Sequence, residues 1–444
     1  LNCTRQDLVQ KYGKVSITAR CAGTDMSGGA IGESTILDFT RYMNKLVGGP
    51  LPLDKTPQPQ KDNGRVPQKP KHYPALPSSI TVQPGMFYRD FEKITLQKDL
   101  ILPCYTASKS LNAMGGMFGN NSAGERTLKY GKTEDYILES KVIFADGNEY
   151  VVKPLSKQEL DKKIAQGDFE GDVYKNISNL INENKEEIKY AKPNVHKNSA
   201  GYFIWNVVNE DDSAENYFDL NKLIVGSQGT LGIATEITFK VIPDNKHSKL
   251  VVIFMDDVAP LGRLVDEILE KNPETLEMYD DKTMKLAVRF FPDFLKNKGF
   301  VGMIKFLLSF IPEALIMATS GFPKLILLAE FAGDSDDEVN KKCIELKDKI
   351  KDFKLKVHIT KNEAESSKYW DIRRESFALL RKHVSGKRTA PFIDDIIVRP
   401  EFLPKFIPEL NAILEKYKTL TYTLAGHAGD GNFHIIPLMD FSRP

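Results

Sequence analysis

His427 and His434 stand seven positions apart in the stretch GHAGDGNFH, with Gly426, Gly429, Asp430 and Gly431 around them. Two imidazoles can share one zinc-like ion if the chain brings their rings to one face. A helix does not, because seven residues rise about 10.5 Å, and the glycines disfavour a helix in any case. The flanking runs LTYTLA and FHIIPL read as β-strands, and Asp-Gly is the strongest two-residue hairpin signal. With Asp430-Gly431 at the tip, Gly429 pairs with Asn432, Ala428 with Phe433 and His427 with His434. Residues directly opposite each other have Cβ atoms about 5 Å apart on one face, a spacing that suits two ligands of one ion. The competing reading is a hairpin carrying two exposed histidines. A catalytic zinc usually takes three protein ligands, so a further one must come from elsewhere in the chain.

Three other segments are rich in small residues. RCAGTDMSGG (Arg20–Gly29) lies between two strand-like runs, and its glycines allow backbone N–H groups to close around an anion. It is not the dinucleotide fingerprint, which needs G-x-G-x-x-G opening a helix; here a second strand, STILDF, follows. NAMGGMFGNNSAG (Asn112–Gly124) and GSQGTLG (Gly226–Gly232) are the others. So many glycines cost conformational entropy, which a chain accepts where something approaches the backbone closely. The three together, bordered by strands, point to a phosphate-bearing cofactor on the first half of the chain; the competing reading is tight strand connections.

The elements that must position these residues follow from the pattern. LVQKYG reads as a helix end and VSITAR as a strand. Val47–Pro77 is rich in Pro, Gly and Lys and reads as a long exposed insertion. SITVQPGMFYRDFEKI gives strand, turn and helix. DYILESKVIFADGNEYVV gives a hairpin turning at Asp146-Gly147. Residues 157–222 are mostly helical. After about residue 243 the strands KLVVIFMDDV, LILLAEFAG and LKVHITK interleave with helical segments near 258–271 and in DDEVNKKCIELKDKIKDF, which predicts an α+β second domain. The boundary is placed at 243/244, giving domains 1–243 and 244–444.

Composition sets outer limits. The chain has 444 residues, 41% hydrophobic and 27% charged, which is the composition of a globular protein. A net charge of +1 gives no general pull toward nucleic acid. The four cysteines, Cys3, Cys21, Cys104 and Cys343, are scattered with no CxxC pair; the chain itself shows no iron–sulfur or zinc cluster, and the thiols fit a reducing, cytoplasmic setting. The most apolar run, Gly299–Phe322, is interrupted by Lys305, Pro312 and Glu313. It does not read as a spanning helix, so any membrane contact is expected to be peripheral at most.

The runs AGTDMSGGAI, GGMFGNNSAGERTLKYGKTEDYIL, LIVGSQGTLGIATE, YWDIRRES and GHAGDGNFH resemble, in order and over nearly the whole chain, the FAD-linked dehydrogenases of the vanillyl-alcohol oxidase superfamily. The branch is that of D-lactate dehydrogenase, the glycolate oxidase flavoprotein subunit and D-2-hydroxyglutarate dehydrogenase. The resemblance implies an α+β fold with a PCMH-type FAD-binding domain and a ferredoxin-like cap, the FAD-linked oxidase C-terminal domain. It implies oxidation of a small 2-hydroxy acid such as D-lactate or glycolate. Electrons would pass to a quinone, a cytochrome or an iron–sulfur partner. The alternative is a non-catalytic FAD-binding electron-transfer subunit of a glycolate-oxidase-like complex.

By the same resemblance, Ala22, Gly23, Thr24, Asp25, Met26, Ser27 and Gly28 lie over the FAD pyrophosphate. Pro103, Gly115, Gly116, Asn121, Ser122 and Gly124 meet the flavin and ribityl chain. Gly226, Gly232 and Ile233 form a third contact. Flavin-tethering relatives have histidine where this chain has Thr24, so the FAD is expected to be noncovalent. Arg373 corresponds to the arginine that grips the substrate carboxylate, with Arg374 turned about 100° away on a helix. His427 and His434 correspond to the ligands of a divalent metal, Zn or Mn.

The sequence departs from the pattern at Ile393 and Ile436, where D-2-hydroxyglutarate enzymes carry Lys and Asn. The family takes a further metal ligand from a glutamate in a Gly-Glu-His segment near its end. Asp440 is the one carboxylate between His434 and Pro444 and reads as a poor substitute. The chain is therefore expected to be incomplete at both ends.

Overall fold

The computed structural model describes residues 16–25, 28–33, 35–52, 78–198, 200–209, 211, 213–215, 217–289, 321–383, 388–389, 395–418 and 420–442. The helix end read at LVQKYG and most of the apolar run 299–322 fall outside these residues. The chain forms two compact units. One comprises Leu1–Gly124, Gly131–Asn194 and Ser199–Asp244; the other comprises Glu125–Tyr130, Val195–Asn198 and Asn245–Pro444.

In the N-terminal unit, β1 (Ile17–Arg20) and β2 (Thr35–Asp38) form a parallel pair, Ile17 opposite Thr35. A larger sheet is built from β3 (Leu46–Pro52), β4 (Ser78–Val82), β5 (Leu100–Ile101), β6 (Ile137–Ile143), β7 (Glu149–Val152) and β8 (Ile233–Pro243). Its order is β3-β4-β8-β6-β7, with β5 also on β8. Strand β8 alternates along its length, with Thr235, Ile237, Phe239 and Val241 buried, the period-2 pattern of a strand with one face in a core. Helix α1 (Tyr88–Leu96) closes over that face with Tyr88, Phe91 and Thr95, and the Phe91 and Phe239 rings meet edge-on at 6.0 Å.

Strand β3 occupies the first residues of the stretch read as an insertion, and residues 53–77 lie outside the described set. The Gly-Gly-Pro composition suggested a loop. The structure instead accommodates it on an edge strand whose pairing with β4 shifts register twice, as glycine and proline at bulged edges do.

The C-terminal unit is built on an antiparallel sheet of eight strands: β9 (His247–Met255), β10 (Thr275–Asp280), β11 (Leu325–Gly333), β12 (Lys356–Ile359), β13 (Arg388–Thr389), β14 (Asp395–Ile397), β15 (Thr421–His427) and β16 (Asn432–Met439). The order is β12-β9-β11-β10-β15-β16-β13, with β14 also on β16. One face packs under α2 (Leu261–Leu269), α3 (Asp336–Lys349) and α4 (Leu403–Leu414). Leu261, Leu264, Val265 and Ile268 of α2, at i, i+3, i+4 and i+7, enter that core beside Leu276, Leu327 and Phe433. The other face carries Leu250, Val252, Ile326, Leu328 and Tyr279 and is covered by Tyr369, Trp370 and Ile372 of α5 (Glu363–His383). Charged groups of the candidate site stand on this second face.

The terminal hairpin differs from the expected one. His427 pairs with Asn432, and Ala425 is the partner of His434. The connection is a 3-10 turn over Ala428–Asp430 closed by Gly431 in the left-handed region at φ 66°. Asp430 is buried, with His196 on its carboxylate, so it cannot occupy an exposed two-residue tip. A Cβ on Gly431 would sit 1.7 Å from the Val398 carbonyl oxygen, so a side chain is excluded there on two counts.

Candidate active site

The three small-residue segments converge in the N-terminal unit. Cys21 donates its thiol hydrogen to the Pro84 carbonyl. The Gly115 amide donates to the same carbonyl at 2.7 Å, tying the 21–29 loop to the helical segment Met114–Asn120. The Gln228 amide donates to the Gly119 carbonyl at 2.9 Å, and the Gly226 amide to that of Phe118 at 3.0 Å. The Gln228 side chain donates to Asn120 Oδ1. Asn121 ends the helical segment in the left-handed region at φ 47° and accepts the Glu134 amide on its side chain. Ala22 and Asp25 are half-buried, while Gly23 and Thr24 are exposed; Met26 and Ser27 lie outside the described residues.

The glycines divide into two kinds. A Cβ on Gly124 would lie 1.8 Å from the Tyr105 carbonyl oxygen, on Gly115 2.5 Å from Pro84, and on Gly232 2.5 Å from Val142. Packing within the protein accounts for these three. At Gly116 the nearest atom is Cys21 Cβ at 3.8 Å, and at Gly28 the Ile31 side chain at 3.9 Å, so a Cβ at either would make only ordinary contacts; Gly28 is required instead by its left-handed backbone at φ 85°. Pro103 is buried in the turn after β5, and Ser122 and Ile233 are half-buried.

In the C-terminal unit, strand register assembles a row of side chains. β10 meets β15 with Met278 opposite Gly426, and one further step of that register sets Glu277 beside His427. His434 lies diagonally across from His427, because Ala425 is its direct partner. Asp395 of β14 is directly opposite His434. Four adjacent strands thus present carboxylate, imidazole, imidazole, carboxylate on one face. His427 Nδ1 is 2.5 Å from Glu277 Oε1, and His434 Nδ1 is 3.3 Å from Asp395 Oδ1. The two Nε2 atoms face each other at 3.4 Å. The diagonal placement still brings the rings together, with centroids 5.4 Å apart and planes at 84°. The expected pairing was wrong by two residues, but the expected meeting of the rings holds.

Arg373 is buried on α5, and its guanidinium pairs with Glu277. Arg374 points elsewhere: it pairs with Glu125 and stacks over Trp370 at 4.9 Å. Burial raises the Glu277 pKa, against the pull of Arg373 and Lys197. Burial also lowers both histidines, His434 to about 4 and His427 well below its ordinary value, so both rings are neutral. For Asp395, burial acts upward, and its pairing with His434, the Lys197 charge and the Asn432 hydrogen bond bring the net shift down.

Sequence reasoning missed Glu277, Lys197, Asp395 and the inward role of Asp430. One signal was present: TLEMYD places a lone Glu inside a wholly buried strand, and a buried carboxylate requires a partner. Asp440 accepts from Ser442 in its own turn. Ile393 is outside the described residues, and Ile436 is a β16 position opposite Thr423. Among the described residues, no three His, Cys, Asp or Glu side chains are grouped to hold a metal ion, and no helix is long and apolar enough to cross a membrane.

Residues 244–444 match the family model for the C-terminal domain of FAD linked oxidases, and residues 77–153 match that of an FAD binding domain. The chain is therefore similar to the FAD-linked oxidases over its C-terminal half and carries an FAD-binding-domain match in its N-terminal half. Its N-terminal unit is accordingly of the PCMH type and binds FAD, and its C-terminal unit is the oxidase C-terminal domain. Among similar proteins is the D-2-hydroxyglutarate dehydrogenase of Pseudomonas putida, 23% identical over 438 residues, which cover 98% of this chain and 39% of the relative. The glycolate oxidase subunit GlcD of Bacillus subtilis is 26% identical over 425 residues, covering 95% and 67%. The chain thus spans well under half the length of the D-2-hydroxyglutarate dehydrogenase it matches. Alkyldihydroxyacetonephosphate synthase shares the fold, with a TM-score of 0.61 at 15% identity over 98% of this chain and 66% of that one. So does p-cresol methylhydroxylase, at 0.57 and 13% over 99% and 73%.

Proposed function

We propose that this protein oxidises a small 2-hydroxy acid of the D-lactate or glycolate kind, passing a hydride from C2 to noncovalently bound FAD. A quinone, cytochrome or iron–sulfur protein then takes the electrons. The observation that carries the reading is the row Glu277, His427, His434 and Asp395 with Arg373 beside it. The relatives, a D-2-hydroxyglutarate dehydrogenase and a glycolate oxidase subunit, support the substrate class.

The donor set suits a divalent cation such as zinc or manganese. Glu277 on His427 Nδ1 holds that ring's proton there and leaves its Nε2 lone pair facing His434 Nε2 at 3.4 Å, where a cation could take both nitrogens. Metal-binding histidines characteristically give their other nitrogen to a carboxylate. His427 and His434 would hold the ion, which supplies Lewis acidity toward the substrate hydroxyl. Arg373 supplies charge-assisted hydrogen bonds to the substrate carboxylate. Glu277 fixes both Arg373 and the His427 tautomer, so one buried side chain orients the two roles. Thr24, at the position where tethered relatives have histidine, offers no nucleophile for a flavin link.

Two measurements test this reading. Bound FAD should be reduced anaerobically by one or more acids in a panel of 2-hydroxy acids, and Arg373→Ala should keep its FAD but need at least tenfold more substrate. A charge-assisted bond contributes about 1.5–3 kcal/mol, which is that factor or more. An Arg373→Ala protein with unchanged substrate dependence contradicts the assignment. Denaturation followed by filtration should release all the flavin; flavin retained with the protein contradicts the noncovalent reading.

A further inference from the structure

Lys197 is 6% exposed. Its short segment, Val195–Asn198, clusters with the C-terminal unit, and its ammonium feels Asp395, Asp430, Glu277 and Arg373 electrostatically. Yet no described residue gives it a hydrogen bond or ion pair. Each carboxylate around it has a nearer partner, although Asp430 Oδ2 and Glu277 Oε2 accept no hydrogen bond. Asp395 accepts from Asn432 and faces His434. Asp430 meets His196. Glu277 holds Arg373 and His427. The side chain is largely desolvated, and Lys197 Nζ is not among the fully buried atoms left without a partner, so an incoming anion can reach it and offset the cost of enclosing the charge.

Arg373 supplies the second observation. One edge of its guanidinium is committed to Glu277, which leaves an incomplete fork for the bidentate grip that a carboxylate favours. A lysine brings three donors on a rotatable head.

We propose that Lys197 is a substrate-binding residue, its ammonium sharing the carboxylate of the incoming 2-hydroxy acid with Arg373. This rests on the functional reading above. Desolvation and the like charge of Arg373 both depress the lysine's pKa, and an arriving anion offsets both.

The test uses the full FAD-loaded chain with oxalate as an unreactive carboxylate probe, followed by the flavin difference spectrum and by calorimetry. Lys197→Met should weaken oxalate at least tenfold and raise KM for the reducing hydroxy acid far more than it lowers kcat, with flavin content unchanged. Lys197→Arg should recover part of the affinity. A wild-type protein that is reduced by a hydroxy acid, paired with a Lys197→Met protein of unchanged oxalate affinity, overturns this assignment alone. It would mean that the ammonium is satisfied by ordered water. A wild-type protein that neither binds oxalate nor is reduced overturns the functional reading and this assignment together. Should Lys197→Met fail to fold, Lys197→Arg decides: a direct contact shifts oxalate affinity severalfold, and an unchanged affinity rejects the contact.

Discussion

The two units build their candidate sites in opposite ways. The N-terminal unit removes side chains: a Cβ on Gly116 or Gly28 would make only ordinary contacts within the protein, while Gly115, Gly124 and Gly232 let neighbouring segments approach closely. The C-terminal unit buries charge: Glu277, Arg373, Lys197, His427 and Asp430 are all almost wholly enclosed. A site made of missing side chains depends on shape and tolerates little added volume. A site made of buried charge depends on pairing, so losing one partner leaves another stranded.

The largest expected effect tests the pairing. Glu277→Ala strands the buried Arg373 and frees the His427 ring. Stability should fall by about 3–5 kcal/mol, the loss typical when one member of a buried pair is removed, read as a lower denaturant midpoint at unchanged slope. A change under about 1 kcal/mol would mean that water already solvates this pair.

The shape argument is sharpened by two glycines eight positions apart in one segment. Gly124→Ala drives a methyl into the Tyr105 carbonyl and should destabilise the protein by about 1–3 kcal/mol or more. Gly116→Ala makes only an ordinary contact with Cys21 Cβ at 3.8 Å and gains helix propensity, so the flavin-free protein should be as stable as wild type while FAD affinity falls. Equal flavin affinity in Gly116→Ala and wild type would show that the cofactor does not approach this position.

The smallest expected effect concerns a carboxylate outside the imidazole row. Burial lifts Glu330 to about 7. Because its folded pKa exceeds the unfolded value, its contribution is fully present below about pH 4.5 and is lost as pH rises through 7. Glu330→Gln should therefore match wild type near about pH 5 and become more stable by roughly 1–3 kcal/mol near about pH 8. A Tm difference independent of pH would show that Arg126 and Arg374 hold Glu330 ionised throughout.

Much of this was legible in the sequence because periodicity and glycine punctuation are local. Leu325–Gly333 was read as a strand with its observed limits, and the three small-residue segments were recognised from composition. His427 and His434 were paired from spacing, though the buried Asp430 moved the turn. What stayed hidden depends on register between distant strands. Nothing within TLEMYD or VHKN says that Glu277 and Lys197 face the same histidines, because 150 residues separate Glu277 from His427 and only the β10–β15 pairing joins them.

Hydride transfer from C2 of a 2-hydroxy acid to FAD, as proposed above, is open to anaerobic stopped-flow reduction of the bound flavin by protiated and C2-deuterated acid. The flavin should bleach fully, slowed severalfold by deuterium at C2 and unaffected by deuterium elsewhere on the carbon skeleton. Flavin that stays oxidised with every acid of the panel, or bleaching that is indifferent to deuterium at C2 with chemistry shown to limit the rate, would contradict it.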